Sequence, residues 1–120
     1  MPNDLTWAQV NAAFVTPPIS VSGNTVVIDT SIVIGDSITA LSDSKVVEFC
    51  YKLLLACNRA QATVNVGLTT NLLNSFPSQF YSSVEDPTSP TAPPTMDATV
   101  QCIAKIPLDI NLASGSIISP

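Results

Sequence analysis

The residues best suited to chemistry in this chain fall between positions 29 and 45. Asp29, Asp36, Ser37 and Lys45 place two carboxylates, a hydroxyl and an amine around one turn. A serine hydroxyl becomes an acyl-transfer nucleophile when a base poised near neutral pH takes its proton, and imidazole is the usual base. The 120 residues contain no histidine. The four residues are therefore candidates for holding a small ligand, and none is assigned a catalytic role. Metal chemistry has no better footing. Asp36 and Asp43 flank one loop without EF-hand spacing. Cys50, Cys57 and Cys102 include no Cys-x-x-Cys and have no histidine to complete a zinc set. No Gly-x-Gly-x-x-Gly and no phosphate loop occur. No metal and no cofactor is expected.

The block Gly35-Asp36-Ser37-Ile38-Thr39 comes directly after an apolar run, residues 26–34. Over residues 26–41 it resembles the first block of the GDSL (SGNH) hydrolases. That resemblance implies a serine nucleophile at Ser37, exposed at a strand-to-helix turn. The family also carries an Asp and a His close together near its C-terminus, and a Gly-x-Asn-Asp block for the oxyanion. This chain has Asp97 and Asp109 in the corresponding region, no histidine and no such tetrapeptide. The composition disfavours a hydrolase, and the block reads as a turn whose Asp and Ser cap the next element.

Composition bounds the rest. The length suits one domain with a single core. Apolar residues make up 46%, whereas charged residues make up only 11%, under half of the usual roughly 25%. A surface so poor in charge is weakly protected against association, which points to a homo-oligomer. The net charge of −5 and four cations argue against nucleic-acid binding. No apolar run is long enough for a membrane span, and the N-terminal residues lack the pattern of a signal peptide, so a cytoplasmic protein is expected. The three cysteines fit no closed disulfide framework. Cys50 and Cys57 lie about 10.5 Å apart along a predicted helix, too far to bridge, and all three read as buried structural thiols.

The elements that must position these residues are read from periodicity. Residues 4–15 predict a short helix capped by Asn3 or Asp4 and stopped at Pro17-Pro18. Its Trp7 and Phe14 serve either as an arm docking on a neighbouring subunit or as packing within the domain. Residues 19–22 and 25–34 predict a hairpin joined at Gly23-Asn24. Residues 44–60 predict the long helix, capped by Asp43 or Ser44, with Val46, Phe49, Cys50, Leu53, Leu54 and Cys57 as its core stripe. Lys45, Lys52 and Arg59 form the opposite face, and Val47 widens the apolar arc. Residues 62–68 alternate and predict a strand. Residues 69–81 are ambiguous, with a short helix broken at Pro77 as one reading. Residues 82–95 hold four prolines and predict a loop. From Ala98 to Leu112 apolar and polar residues alternate, which gives either one strand that crosses to another subunit or two strands about Pro107.

The expected fold is thus α+β, a two-layer sandwich in ββαββ order. A mostly antiparallel sheet is covered by one long helix, with a short N-terminal helix added, in a single domain over residues 1–120. The uncovered sheet face would carry Val27, Val33 and Ile103, and a second copy of the chain is the simplest cover. The expected function is a non-enzymatic structural or assembly subunit acting through homo-oligomerisation. The alternative is a small-molecule-binding domain or minor enzyme with a pocket between helix and sheet.

Overall fold

The computed structural model describes residues 4–85 and 93–104, and side chains over that range except those of residues 83–85. The fold is α+β, with helices packed against short antiparallel sheets. In chain order the elements are α1 (Trp7–Asn11), β1 (Ile19–Ser22), β2 (Thr25–Ile28), α2 (Thr30–Ile34), α3 (Val46–Val66), β3 (Phe80–Glu85) and β4 (Thr95–Thr99). Two strands precede the long α3 and two follow it, and the short N-terminal α1 is present, as expected; α2 is an addition between β2 and α3. The strands form two two-stranded sheets, β1-β2 and β3-β4, and several elements differ from their predicted bounds.

Helix α1 begins at Thr6, not at Asn3 or Asp4. The Thr6 hydroxyl accepts from the Gln9 N–H at 3.2 Å, and the Gln9 side chain accepts from the Thr6 N–H at 2.9 Å. This capping box satisfies two donors that a helix start leaves open. At the other end, Asn11 both accepts from Ile19 N–H (2.9 Å) and donates to Ile19 O (3.0 Å). One side-chain amide thereby acts as an extra ladder rung and fixes α1 against β1.

The hairpin forms where predicted, with Ser22 opposite Thr25 and Ile19 opposite Ile28. Gly23 has φ of 60°, and Asn24 stays at negative φ. A positive φ at the first central residue alone is the type II′ pattern that suits a twisted hairpin. The second strand stops at Ile28 rather than continuing to residue 34. Asp29 caps a new helix through the Ser31 N–H, and Gly35, left-handed at φ 79°, ends it. Residues 30–34 satisfy a strand period almost as well as a helical one, and the flanking Asp and Gly decide between them.

Helix α3 absorbs most of the strand predicted at 62–68. Cys57, Ala60, Gln61 and Val64 continue the helical stripe, with Ala60 and Gln61 buried. Of the supposed inward positions of a strand, Ala62, Val66 and Leu68 are exposed, Val66 at 88%, and only Val64 is half-buried. The predicted core stripe is only partly inside. Phe49, Leu53, Leu54 and Cys57 are half-buried, whereas Val46 and Cys50 are exposed. The most deeply buried apolar positions of α3 are Ala56 and Ala60.

No helix forms across residues 69–79. That segment is strapped to α3 by side-chain amides. Asn65 exchanges two hydrogen bonds with the Leu73 backbone, at 2.8 and 2.9 Å. Gln61 does the same with Phe76, at 2.8 and 2.9 Å, and Asn58 donates a third bond to Phe76 O at 2.8 Å. Strand β3 then pairs with β4, from Phe80 opposite Thr99 to Glu85 opposite Thr95, with an irregularity between Ser82 and Val84. The ladder takes in both ends of the segment predicted as a loop, residues 82–85 and Thr95. Of the long alternation, only its first two residues lie in β4, and residues 100–104 are not strand. The rest of that alternation, with Pro107 and the subunit crossing assigned to it, lies outside the described residues.

Candidate functional site

The loop between α2 and α3 gathers three of the four predicted ligand-binding residues. Gly35 turns the chain out of α2, and no atom lies within 4 Å of where its Cβ would stand. Asp36, Ser37, Ile38, Ser42, Asp43, Ser44 and Lys45 then line a hollow of about 450 Å³. Lys45 Nζ lies 3.5 Å from the Asp36 carboxylate and 3.9 Å from that of Glu48. Glu48 in turn pairs with Lys52 at 3.2 Å. Lys45, Lys52 and Glu48 therefore form one alternating ladder up the exposed face of α3. Each of these side chains is at least 40% exposed, so water screens the pairs and they contribute little stability.

The hydrogen bonds of the loop hold its backbone. Ile38 N–H donates to Thr30 Oγ1 at 3.2 Å, and Thr39 N–H donates to Asp43 Oδ2 at 3.0 Å. Asp43 thus closes the loop, and α3 starts at Lys45 without a side-chain cap, contrary to the expected role of Asp43 or Ser44. Ser37 comes after a helix and a left-handed glycine, where the resemblance to the hydrolases requires the end of a strand. With Asp36 paired to Lys45 and no imidazole in the chain, this loop presents no base to the Ser37 hydroxyl. The arrangement offers a wet, polar hollow with one cation between carboxylates.

Asp29 is not part of it. Its carboxylate caps α2, at the end of that helix remote from Gly35, where it accepts from the Ser31 hydroxyl and from the Ser31 N–H at 2.9 Å. Those bonds, the hydroxyl's foremost, hold its pKa below the usual value of 3.8. Among the described residues no group of three or more His, Cys, Asp or Glu side chains is placed to hold a metal ion.

Beside the hollow lies a smaller apolar throat of about 170 Å³, between Thr30, Ile38, Val46 and Phe49. A third concavity runs between α3 and β4 and has about 360 Å³. Val46, Val47, Cys50, Tyr51 and Leu54 line it on the helix, and Ala98, Thr99 and Val100 on the other side. Nothing in the sequence pattern singles out this channel. Val46 belongs to the predicted core stripe, yet it is 68% exposed, and Val47 beside it is 84% exposed.

The predicted interface residues do not share a sheet face. Val27 sits on β2, half exposed at 48%, in the hairpin that also carries Ser20, Ser22 and Thr25. Val33 is buried in α2, so it belongs to no sheet and faces no solvent. Ile103 lies beyond β4 and is 47% exposed, with its N–H bonded to Ser75 O at 2.7 Å. Trp7 is 56% exposed and Phe14 half-buried. The cysteines are free thiols, and only Cys57 is partly buried; Cys50 and Cys102 are exposed, against the expectation of three buried thiols.

Among the described residues no helix is long and apolar enough to cross a membrane. No protein-family model matches this chain, and no curated protein or solved structure shows significant similarity to it.

Proposed function

We propose that this chain is a non-enzymatic structural or assembly subunit that acts by associating with further copies of itself. The observation that supports this reading is the imbalance between buried and exposed apolar side chains. Among the described residues the buried apolar set is Val10, Val33, Ile34, Ala56 and Ala60, two of them alanines. By contrast, Leu41, Val46, Val47, Val66 and Trp7 are all more than half exposed. Burying one such valine or leucine contributes about 1.5–3 kcal/mol. The α3–β4 channel presents Val46, Val47, Tyr51 and Leu54 beside Ala98 and Val100, with Lys45 and Glu48 lying in the adjoining hollow at its α3 N-terminal end. Among the described residues each strand also has one edge without a ladder partner. An uncharged channel on a chain with only 11% charged residues suits a second copy, because isologous pairs are the commonest soluble assembly. A cytoplasmic setting belongs to this reading, for a chain whose odd count of three cysteines fits no closed disulfide framework. Nucleic acid and membrane remain unsuited partners for so acidic a chain.

Light scattering on a size-exclusion column tests the reading. The expected mass is at least twice 12.6 kDa, and Val47→Glu, on an exposed helix face, is expected to return it to 12.6 kDa. A wild-type mass of 12.6 kDa at every concentration overturns the proposal.

The second reading, a small-ligand site, has the Asp36–Lys45 pair and its hollow in its favour. Exposure, not size, weighs against it. The hollow of about 450 Å³ and the α3–β4 channel of about 360 Å³ fall within the roughly 300–1,000 Å³ of ligand pockets, but every residue lining the hollow is exposed.

A further inference from the structure

We propose that Cys57 and Cys102 are a redox pair, which oxidised glutathione converts to an intramolecular disulfide between α3 and the segment after β4. Two straps bring together the segments that carry the pair. Phe76 is held on α3 by Asn58 and Gln61, so residue 76 lies against the turn that carries Cys57. Its neighbour Ser75 accepts from the Ile103 N–H at 2.7 Å, which brings residue 103, and Cys102 next to it, to the same strap. The chain therefore runs from Cys102 to Ile103, across to Ser75 and Phe76, and on to Asn58 and Cys57.

The electrostatics of Cys57 agree with that placement. Its pKa is pushed up to about 11, first by burial and then by the charges of Cys102 and Asp4. Cys50 stands apart. It lies two helical turns from Cys57, about 10.5 Å along α3, which no disulfide spans.

The different settings of the two thiols order the chemistry. Cys102 is exposed and reacts first. Its thiolate attacks glutathione disulfide, forming a mixed disulfide and releasing one glutathione thiolate. Cys57, half-buried and slow to ionise, then gives up its proton to solvent or to that thiolate. Its sulfur attacks the Cys102 sulfur and expels the second glutathione. Two protein thiols are oxidised, and one glutathione disulfide is reduced to two glutathiones. The product pins the segment after β4 onto α3, beside the channel assigned to self-association.

The test is oxidation of the full chain in glutathione redox buffer, read by thiol counting, intact mass and peptide mapping without reductant. The wild type is expected to yield one Cys57–Cys102 peptide, with any thiol lost at the exposed Cys50 recovered as its glutathione adduct. Cys50→Ser is expected to lose both remaining thiols and form the same peptide. In Cys102→Ser, an exposed position whose change leaves the fold intact, no intramolecular bridge forms. A stable glutathione adduct at Cys102 in place of the bridge overturns the proposal. So does a disulfide between two copies, or three unchanged thiols in a buffer that oxidises a reference dithiol. The mass measurement on reduced protein decides self-association separately, so either proposal can fail without the other.

Discussion

Replacing Gln61 by alanine should show how much of this fold rests on side-chain amides in place of a continuous sheet. Gln61 is 8% exposed and exchanges two hydrogen bonds with Phe76, accepting at 2.9 Å and donating at 2.8 Å. Each such neutral bond is worth about 1 kcal/mol net. Phe76 O keeps the bond from Asn58, but Phe76 N–H loses its partner in a half-buried site, which costs about 1–3 kcal/mol. Alanine's higher helix propensity returns a few tenths of a kcal/mol. The expected loss is about 2–4 kcal/mol, a large part of the roughly 5–15 kcal/mol that holds a domain together. Asn58→Ala removes one of two donors to the same carbonyl and should cost about 1 kcal/mol. Urea unfolding followed by helical circular dichroism, at matched protein concentration and with reductant present, measures both. A Gln61→Ala loss under about 0.5 kcal/mol, or an Asn58→Ala loss of equal size, refutes the view that Gln61 holds the strap.

Two further changes probe the α2 helix. Gly35→Ala should cost about 1–2 kcal/mol, because a left-handed φ of 79° strains any residue with a Cβ. Nothing lies within 4 Å of that Cβ, so Gly35→Asn, which tolerates the conformation, should recover part of the loss in the same urea titration. Asp29 is held below its ordinary pKa of 3.8, so the carboxylate favours the folded state. Its contribution is fully present above pH 3.8 and is lost as pH falls through its lower folded value. The stability difference between wild type and Asp29→Ala should therefore be constant near neutral pH and shrink in acid; an unchanged difference at about pH 2–3 removes Asp29 as the ionised cap.

Much of the local structure is written in short-range signals. Gly23-Asn24 between apolar runs signals a hairpin, because glycine takes the positive φ of a turn whose twist matches the strands. A long stretch of helical spacing likewise makes α3 legible, and the absence of histidine alone removes the hydrolase chemistry that Gly35 to Thr39 suggests. Boundaries are harder. Residues 30–34 and 62–66 carry patterns compatible with either period, and the flanking Asp29 and Gly35, or the packing of Ala60 and Gln61, break the tie. The hollow is partly legible, since Asp36, Ser37 and Lys45 are near in sequence and one turn brings them together. Asp29 falls elsewhere because a carboxylate's use as a cap depends on where a helix starts. The contacts between distant segments are not disclosed by the sequence. That Gln61 and Asn65 bond a strap fifteen and eight residues away, that Val46 and Val47 face β4, and that Cys57 is half-buried all arise from how α3 is covered. Periodicity encodes which face of an element is apolar. Only the folded chain settles which other element, if any, takes up that face.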